Sequence, residues 1–349
     1  MTRFDVCIIG GGPVGLATAI QASLQGLHVC VFESKQGVID KACGEGLMPS
    51  AIVHLEAMGV QPKYSHEFLG IRYIDGSTSA EGRFSQGPGR GVRRLALHQA
   101  LLDRANQLDI TFMEQRASRI EEHSDYVQVE GTRAQYVVAA DGLHSPIRKK
   151  LELQLPPKRR ARLGLRRHYK ITPWSNFVEV YWSPHAEAYV TPVAEDQVGV
   201  AILLYKDQGP SGTDKYDQLL SLFPELQEKL HSSDHSSHIR GAGPFEQRVS
   251  CGVKGRIFLV GDAAGYLDPL TGEGIRLGLD GAQAIVKCIL ENKPQQYIVA
   301  HKKILRKYWL MTDGLLRLRQ IPFFRRLMVP ILQRIPKLFN VIISTLAAD

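Results

Sequence analysis

The alternation of apolar and polar residues predicts a strand, a helix and a second strand at the start of the chain. An apolar run that includes Val6, Ile8 and Ile9 predicts a short strand, which ends at three consecutive glycines. The pattern from Pro13 to Leu24 predicts a helix that ends near Gly26. The segment HVCVFE then predicts a second strand. This order of elements is typical of an α/β protein with a parallel sheet.

Two later apolar strands end in a pair of aspartate and glycine. In YVVAADGLHSPIRKKL the strand ends at Asp141 and Gly142, and a short helix follows. In GRIFLVGDAAGYLDPLTGEGIRLGLDGAQAI a strand over residues 257–260 leads to Gly261 and Asp262, and a glycine-rich turn opens another helix. Both aspartates are therefore expected at strand-to-helix junctions, where helix capping is their ordinary role.

The middle and the end of the chain have different patterns. FVEVYWSPHAEAYVTPVAEDQVGVAILLY predicts three antiparallel strands, and SGTDKYDQLLSLFPELQEKL predicts a helix at their edge. After Pro294, two or three helical segments mix apolar residues with arginine and lysine. No run there is apolar for the roughly 18 residues that a bilayer crossing requires.

The glycines between the first strand and the first helix have the spacing of a dinucleotide-binding turn. Gly10, Gly12 and Gly15 form G-x-G-x-x-G where the strand turns into the helix. Such glycines permit a tight turn and a close approach of the backbone to a diphosphate, and the helix N-terminus stabilises the anion. Glu33 ends the second strand, where its carboxylate can accept from ribose hydroxyls and would repel a 2′-phosphate. The turn is expected to bind NAD or FAD rather than NADP.

Charge is concentrated at the C-terminus. Residues 301–349 contain ten Lys or Arg and two Asp, so this segment carries the whole formal charge of +8. A basic amphipathic tail can bind an anionic membrane surface, an acidic carrier protein or an acidic lipid, or it can be a helical layer with its charges in water. No nucleic-acid recognition motif accompanies it, so nucleic acid is not an expected partner.

The cysteines and the N-terminus indicate where the chain resides. Five cysteines are present, and none has a C-x-x-C or zinc-type spacing. A reducing cytoplasm is the natural expectation, and no metal is expected. The first apolar run leads directly into glycines rather than into a signal-peptide cleavage site. We therefore expect a cytoplasmic protein that can be peripheral at the inner face of the membrane.

These motifs together resemble those of the FAD-dependent aromatic hydroxylase superfamily, the p-hydroxybenzoate hydroxylase-like flavoproteins. The segment CGEGLMP at residues 43–49 and the compact length resemble the geranylgeranyl reductase-like branch. Three separated motifs in the right order cover the chain to about residue 290 and are specific for the superfamily but not for a substrate.

The resemblance implies a set of FAD-binding positions. Glycine-turn residues would hold the diphosphate, Glu33 the adenosine ribose, Arg94 the phosphates or ribityl chain, and Asp262 a ribityl hydroxyl. The implied cofactor residues are Gly10, Gly12, Pro13, Val14, Gly15, Glu33, Ser34, Cys43, Gly44, Arg94, Asp141, Gly261, Asp262, Pro269, Gly272, Glu273 and Gly274. Arg94 can also be a surface arginine, and Cys43 is assigned proximity to the flavin without a chemical role.

The expected fold class is α/β with α+β insertions. A Rossmann-type FAD-binding domain is expected over residues 1–75, 92–155 and 245–292, and an antiparallel-sheet substrate domain over residues 76–91 and 156–244. Basic amphipathic helices are expected over residues 293–349. No second complete G-x-G-x-x-G occurs in the middle of the chain, so NAD(P)H is expected to bind only transiently.

The resemblance implies an FAD-dependent monooxygenase that hydroxylates an aromatic or polyketide-like small molecule with NAD(P)H and O2. One alternative is a flavin-dependent reductase of a polyprenyl or isoprenoid double bond, and another is a flavin-free prenyl-binding scaffold. A halogenase is disfavoured because the sequence lacks W-x-W-x-I-P. In this chemistry the flavin performs the difficult step, so a protein acid or base need not stand out. Candidate pocket residues on the predicted sheet are His185, Tyr181 and Tyr189.

Overall fold

The computed structural model describes residues 3–210 and 214–347. Their strands are β1 (Arg3–Ile9), β2 (Val29–Phe32), β3 (Gly46–Leu47), β4 (His66–Phe68), β5 (Gly70–Asp75), β6 (Thr78–Arg83), β7 (Gly89–Gly91), β8 (Ile110–Met113), β9 (Ile120–Glu122), β10 (Val127–Val129), β11 (Thr132–Ala139), β12 (Gln154–Leu155), β13 (Arg162–Lys170), β14 (Val178–Trp182), β15 (Ala186–Ala194), β16 (Gln197–Tyr205), β17 (Asp234–His235), β18 (Arg240–Ala242), β19 (Arg248–Val249), β20 (Val253–Lys254) and β21 (Ile257–Leu259).

The same residues form helices. The α-helices are α1 (Pro13–Leu24), α2 (Pro49–Ala57), α3 (Arg94–Asn106), α4 (Pro146–Lys150), α5 (Lys215–Leu220), α6 (Pro224–Leu230), α7 (Gly274–Leu290), α8 (Gln296–Gln320), α9 (Pro322–Arg334) and α10 (Pro336–Ala347). Short 3-10 helices cover Lys206–Gln208, Gly261–Ala264 and Pro269–Thr271.

The first sheet confirms the α/β class. Its main path has the strand order β20-β21-β11-β1-β2-β8, and β1, β2, β8, β11 and β21 run parallel. Helices α1, α3 and α7 cover one face, where Val6 and Ile8 of β1 are buried among their apolar residues. The opposite face buries Cys7 and Ile9 of the same strand. The strand-helix-strand unit predicted at the N-terminus is present, and α1 has the predicted bounds.

The second sheet has the order β17-β13-β16-β15-β14-β5-β6. The three strands predicted between residues 177 and 205 are β14, β15 and β16, which pair antiparallel as expected. The helix predicted over residues 211–230 is two helices, α5 and α6, and its first three positions lie outside the described residues. Pro224 has no amide hydrogen to continue α5 and instead starts α6.

The expected domain boundary at residue 75 differs from the observed sheet. Strand β5, expected in the nucleotide domain, pairs with β6 and β14 and so belongs to the second sheet. The physical reason is the tight turn at Asp75 and Gly76, whose positive φ of 53° joins β5 and β6 as one hairpin. A boundary inside this hairpin would separate directly hydrogen-bonded strands.

The C-terminal segment forms the three helices α8, α9 and α10. Helices α9 and α10 pack on β6, and Phe339 and Ile343 are buried in one core with Tyr73 of the second sheet. Among the described residues, no single helix is both long and apolar enough to cross a bilayer. Helices α9 and α10 together would meet that criterion, but they are bent by 104° at their junction. The tail therefore covers one face of the second sheet.

Candidate functional site

The glycine turn is held against the end of β11. Gly10 has a φ of 107°, and a Cβ there would lie 2.5 Å from the carbonyl oxygen of Ala140. A Cβ on Gly15 would overlap the carbonyl oxygen of Gly10. The amide of Gly11 donates to the carboxylate of Glu33 at 2.9 Å. Only glycine fits at the first and third positions, and Glu33 contacts the turn as well as standing at the end of β2.

A histidine that the sequence pattern did not indicate supports this turn. His98 on α3 is buried, and its Nε2 lies 2.7 Å from the carbonyl oxygen of Gly11. Its Nδ1 accepts from the amide of Ile39 at 3.2 Å, so Nε2 is the nitrogen that carries the proton. Burial lowers the pKa of His98, which favours this neutral form. His98 therefore fixes the turn without bringing a charge to it.

Arg94 brings a buried positive charge to the glycine turn. It is the first residue of α3, and a Cβ on Gly12 would lie 3.8 Å from its Nη2. Its guanidinium is buried and, within the described part of the chain, pairs with no carboxylate within 4.0 Å; its Nε has no hydrogen-bond partner. Burial lowers the pKa of Arg94. An unpaired buried cation beside a glycine turn suits an anionic ligand.

Asp262 supplies the carboxylate that approaches Arg94. Its backbone is fixed because Arg148 donates to the carbonyl oxygens of Asp262, at 3.2 Å, and Ala263, at 3.0 Å. No described residue donates a hydrogen bond to its half-buried carboxylate. Burial raises the pKa of Asp262, and the charges of Arg94 and Lys41 oppose that rise. The carboxylate thus has acceptor sites for hydroxyl groups, and Lys41 is a second cation that the sequence pattern did not indicate.

Helix α1 brings this segment close to the glycine turn. Pro13 begins α1, and the next residue, Val14, packs between two glycines. A Cβ on Gly261 would lie 3.2 Å from Val14, and one on Gly278 would overlap it. Gly261 also has a positive φ of 61°. The first helix and the Gly261–Ala264 segment are therefore in direct contact.

Asp141 uses one of its carboxylate oxygens at the start of α4. Its Oδ2 accepts from the amide of Ile147 at 3.2 Å, while Ser145 caps α4 through the amide of Arg148. Burial raises the pKa of Asp141, although its hydrogen bonds oppose that rise. Oδ2 therefore has a helix-capping role, whereas the buried Oδ1 has no hydrogen-bond partner among the described residues.

The segment after β2 contains three of the implied cofactor residues, Ser34, Cys43 and Gly44. Ser34 is exposed, whereas the carbonyl of Gly44 accepts from the hydroxyl of Thr191 at 2.8 Å. Cys43 accepts from the amide of Glu45 at 3.4 Å, and burial raises the pKa of the Cys43 thiol. This thiol is therefore protonated near neutral pH.

Glu45 is a further residue that the sequence pattern did not indicate. It is buried with a positive φ of 62°, which costs free energy for a residue other than glycine. Its Oε1 accepts from the amide of Arg94 at 2.8 Å, and its Oε2 lies 2.5 Å from Nε2 of His168 on β13. Glu45 thereby connects this segment to the first turn of α3 and to the second sheet.

The segment that precedes α7 closes the other end of the site. After the 3-10 helix Pro269–Thr271, Gly272 adopts a left-handed conformation with a φ of 71°. Oε1 of Glu273 lies 2.5 Å from Nη2 of Arg276, so one of its two carboxylate oxygens is committed to that ion pair. No described acceptor binds the amides of residues 273–275, and α7 begins at Gly274. These amides form the positive end of a 17-residue helix.

Of the three candidate pocket residues on the second sheet, only one faces the segment before α7. Tyr189 donates to the carbonyl of Leu270 at 3.2 Å and so faces the segment before α7. Tyr181 donates to Glu179 at 2.7 Å and is buried with α5 and α6 on the opposite face. His185 lies exposed in the turn between β14 and β15. The structure thus corrects the pocket assignment of Tyr181, because neighbouring residues of a strand point to opposite faces. It also corrects that of His185, which lies in a turn outside the strands.

Comparison with protein families gives one extensive match. A family model described as an FAD binding domain matches residues 3–292. A 3-(3-hydroxy-phenyl)propionate/3-hydroxycinnamic acid hydroxylase of Mycobacterium sp. (strain JLS) is 26% identical over 310 residues, covering 80% of this chain and 53% of the relative. The chain thus spans about half the length of that relative.

Two further similarities involve proteins of different activity. A digeranylgeranylglycerophospholipid reductase of Methanococcus vannielii is 25% identical over 301 residues, covering 79% of this chain and 74% of the relative. The solved structure of the flavin-dependent brominase Bmp2 superposes with a TM-score of 0.82 at 18% identity, covering 99% of this chain and 94% of the brominase. At that identity the superposition shows the shared fold alone.

Proposed function

The chain belongs to the FAD-binding domain family, and we propose that it is an NAD(P)H-dependent monooxygenase that hydroxylates an aromatic or polyketide-like small molecule. The observation that carries this proposal is the unpaired, buried Arg94 beside Gly12, which interacts electrostatically with the carboxylate of Asp262. The cofactor of the family is FAD. Hydroxylation is favoured by the hydroxylase relative, which aligns with 80% of this chain.

The residues present fit FAD. Arg94 and the amides of the glycine turn would bind the diphosphate, and Glu33 the adenosine ribose. Asp262 would accept from ribityl hydroxyls, and the free amides of residues 273–275 would face the pyrimidine edge of the flavin. FAD, once bound, would pass electrons from NAD(P)H to O2 so that one oxygen atom enters the substrate.

The protein itself would position the substrate and exclude water. The inner face of the second sheet, the 267–270 segment and the tail helices enclose an apolar region that includes Tyr73, Trp182 and Leu270. The hydroxyls of Tyr189 and Tyr308 there already donate to the carbonyls of Leu270 and Asp268. Substrate would therefore be held mainly by apolar packing, and enclosure would keep water away from the reacting atoms.

An oxygen-coupled assay tests this proposal. Purified protein is mixed with NAD(P)H and with phenols, polyketides and prenyl lipids in turn, while NAD(P)H oxidation and O2 uptake are recorded together. A monooxygenase consumes both in equal amounts when a substrate is hydroxylated. Substrate-dependent NAD(P)H oxidation that continues without O2 would contradict hydroxylation.

Reduction of an isoprenoid double bond is the second candidate. The Cys43 thiol is kept protonated by burial in the CGEGLMP segment, and a reductase needs a proton donor for the saturated carbon. The digeranylgeranylglycerophospholipid reductase relative matches 79% of this chain. The anaerobic arm of the same assay separates the two candidates, because a reductase works there and a monooxygenase does not.

The flavin-free scaffold finds least support. Arg94 would keep a buried Nε without a partner in a protein that binds no nucleotide, which is costly. The half-buried carboxylate of Asp262 would also keep no donor among the described residues. Absorbance of the purified protein near 450 nm provides the check, because bound flavin absorbs there and a flavin-free scaffold does not.

A further inference from the structure

The outer surface of the last two helices carries an unusual number of exposed apolar side chains. Phe323 is 65% exposed and Val341 is 62% exposed. We call the full set the apolar ridge, which consists of Ile321, Phe323, Phe324, Leu327, Ile331, Ile335, Leu338 and Val341. On α9, Phe323, Leu327 and Ile331 are spaced four residues apart and so lie on one side of the helix. Eight exposed apolar side chains within residues 321–341 indicate an interaction surface.

The residues of the apolar ridge are different from those that α9 and α10 bury against the second sheet. Val329 and Leu332 of α9 and Phe339 and Ile343 of α10 are buried with Tyr73 in the core of the second sheet. An ordinary surface helix would present polar residues on its other side. Because the inward face is already packed, folding of the described chain does not account for the ridge.

Basic residues accompany the ridge without acidic partners. Arg326, Arg334 and Lys337 are exposed and form no ion pair or hydrogen bond with any described residue. From residue 314 to residue 347 the sequence contains no Asp or Glu. The surface around the ridge therefore has a positive potential that its own helices do not neutralise.

We propose that the apolar ridge, with Arg326, Arg334 and Lys337, docks the protein on the surface of an anionic lipid bilayer. Apolar side chains would enter the boundary between headgroups and acyl chains, and the cations would bind anionic headgroups. The 104° bend between α9 and α10 suits helices that lie in the interface.

Charge and composition favour a bilayer over other occupants. A second copy of the chain docked by a two-fold axis would bring the same basic residues against each other without an acidic residue to pair them. An acidic carrier protein would pair with the three cations but leave most of the eight apolar side chains without a matching surface. A bilayer satisfies both groups at once.

This docking goes beyond the proposed function and does not depend on it. The inward faces of α9 and α10 line the apolar region where substrate would bind, so docking would place that region next to the membrane. Binding to vesicles is measured without turnover. Failure of the monooxygenase assay and failure of docking are therefore distinguishable results.

Vesicle co-sedimentation of the full chain tests the proposal. The protein is mixed with vesicles of phosphatidylcholine alone and of phosphatidylcholine with phosphatidylglycerol, at low and high salt. We expect binding to the mixed vesicles that weakens with salt, and little binding to phosphatidylcholine. Equal binding to both vesicles, or to neither, would overturn the proposal.

Matched variants locate the surface. Arg326→Gln, Arg334→Gln and Lys337→Gln together are expected to weaken binding to mixed vesicles on the order of a hundredfold. Phe323→Ser with Phe324→Ser is expected to weaken it at least about tenfold. The controls Val53→Ser and Arg116→Gln alter exposed residues elsewhere and should leave binding unchanged. Flavin absorbance verifies that each variant is folded.

Two results with these variants would overturn the assignment. Ridge variants that bind mixed vesicles as tightly as the native chain would show that another surface docks. A native dimer that the Phe323 and Phe324 substitutions convert to a monomer, with no change in vesicle binding, would assign the ridge to a second copy instead.

Discussion

Two buried arginines of this protein have opposite surroundings. Nη2 of Arg162, on β13, lies 2.8 Å from Oε2 of Glu187, and its Nε lies 3.4 Å from Oδ2 of Asp268. All three side chains are almost fully buried. Arg94 beside the glycine turn is buried as well, yet no described carboxylate pairs with it within 4.0 Å. Burial opposes the charge of both, but at Arg162 the two carboxylates more than offset it and raise the pKa, whereas the pKa of Arg94 is lowered.

This difference distinguishes an arginine that stabilises the fold from an arginine that binds a ligand. A buried charge with protein partners on two sides belongs to the architecture, and removal of one member leaves the others uncompensated. A buried charge without a protein partner is costly unless a ligand completes it. Arg162 should therefore contribute mainly to stability, and Arg94 mainly to the binding of FAD.

The largest effect is expected from Arg162→Met. The substitution leaves Asp268 buried without its ion-pair partner and leaves Glu187 with Arg319 alone, and should lower the free energy of unfolding by about 3–5 kcal/mol. Urea unfolding of the FAD-free protein measures it, with Arg116→Met at an exposed position as the control. A loss below about 1 kcal/mol would mean that the three side chains are not a structural unit.

The next effect is a pH dependence from Asp268. Burial raises its pKa from 3.8 to about 6 in the folded protein. Between these values the folded state binds more protons than the unfolded state, so the free energy of unfolding falls as pH rises through that window. Relative to Asp268→Asn, the native protein should lose about 3 kcal/mol between about pH 4 and pH 7. Parallel stability curves for the two proteins would contradict this expectation.

Arg94→Met should weaken FAD binding more than it lowers stability, which is the reverse of the expectation for Arg162→Met. We expect FAD to bind about 10–100-fold more weakly, because charge-assisted hydrogen bonds to the diphosphate are lost. The FAD-free protein should keep its stability to within about 1 kcal/mol or become more stable, since an unpaired buried charge is removed. Titration with FAD and urea unfolding measure the two quantities. Unchanged FAD affinity with a large loss of stability would reverse the assignment.

The smallest effect concerns the two tyrosines on opposite faces of the second sheet. Tyr189→Phe removes the hydrogen bond to Leu270 in the segment before α7 and should weaken FAD binding by about 1 kcal/mol at most. Tyr181→Phe removes a bond to Glu179, which keeps Arg72 and Trp174 as partners, so FAD binding should be unchanged. Equal FAD affinities of the two variants would show that Tyr189 does not support that segment.

Most residues of the proposed FAD site could be indicated from the sequence because that information is local. Three glycines, the acid at the end of β2 and the aspartate after β21 each occupy a position that its neighbours define, as does Arg94 at the start of α3. Glu45 and His98 act across distance in the chain: Glu45 bonds the amide of Arg94, and His98 bonds the carbonyl of Gly11. Nothing in the helical pattern around His98 distinguishes it. For Glu45, an acid between two glycines was the available signal.

It was harder to predict on which face of the sheet each side chain lies. Every residue of β14 is buried, so its apolar pattern does not indicate which side holds Tyr181. The pairing register of β14 and β15 shows that Tyr181 and Tyr189 are on different faces, because Tyr189 lies opposite Val180 and Tyr181 lies opposite Ala188. The division between sheets at residue 75 was missed for a similar reason, since the hairpin of β5 and β6 depends on pairing with β14.

A crystal structure of the FAD-bound protein would decide the role of Arg94. We expect the Arg94 guanidinium to donate to the diphosphate of FAD, while the Asp262 carboxylate accepts from a ribityl hydroxyl of the same molecule. Arg94 turned away from the cofactor and paired with a protein carboxylate would contradict it, and the contrast with Arg162 would then have no functional meaning.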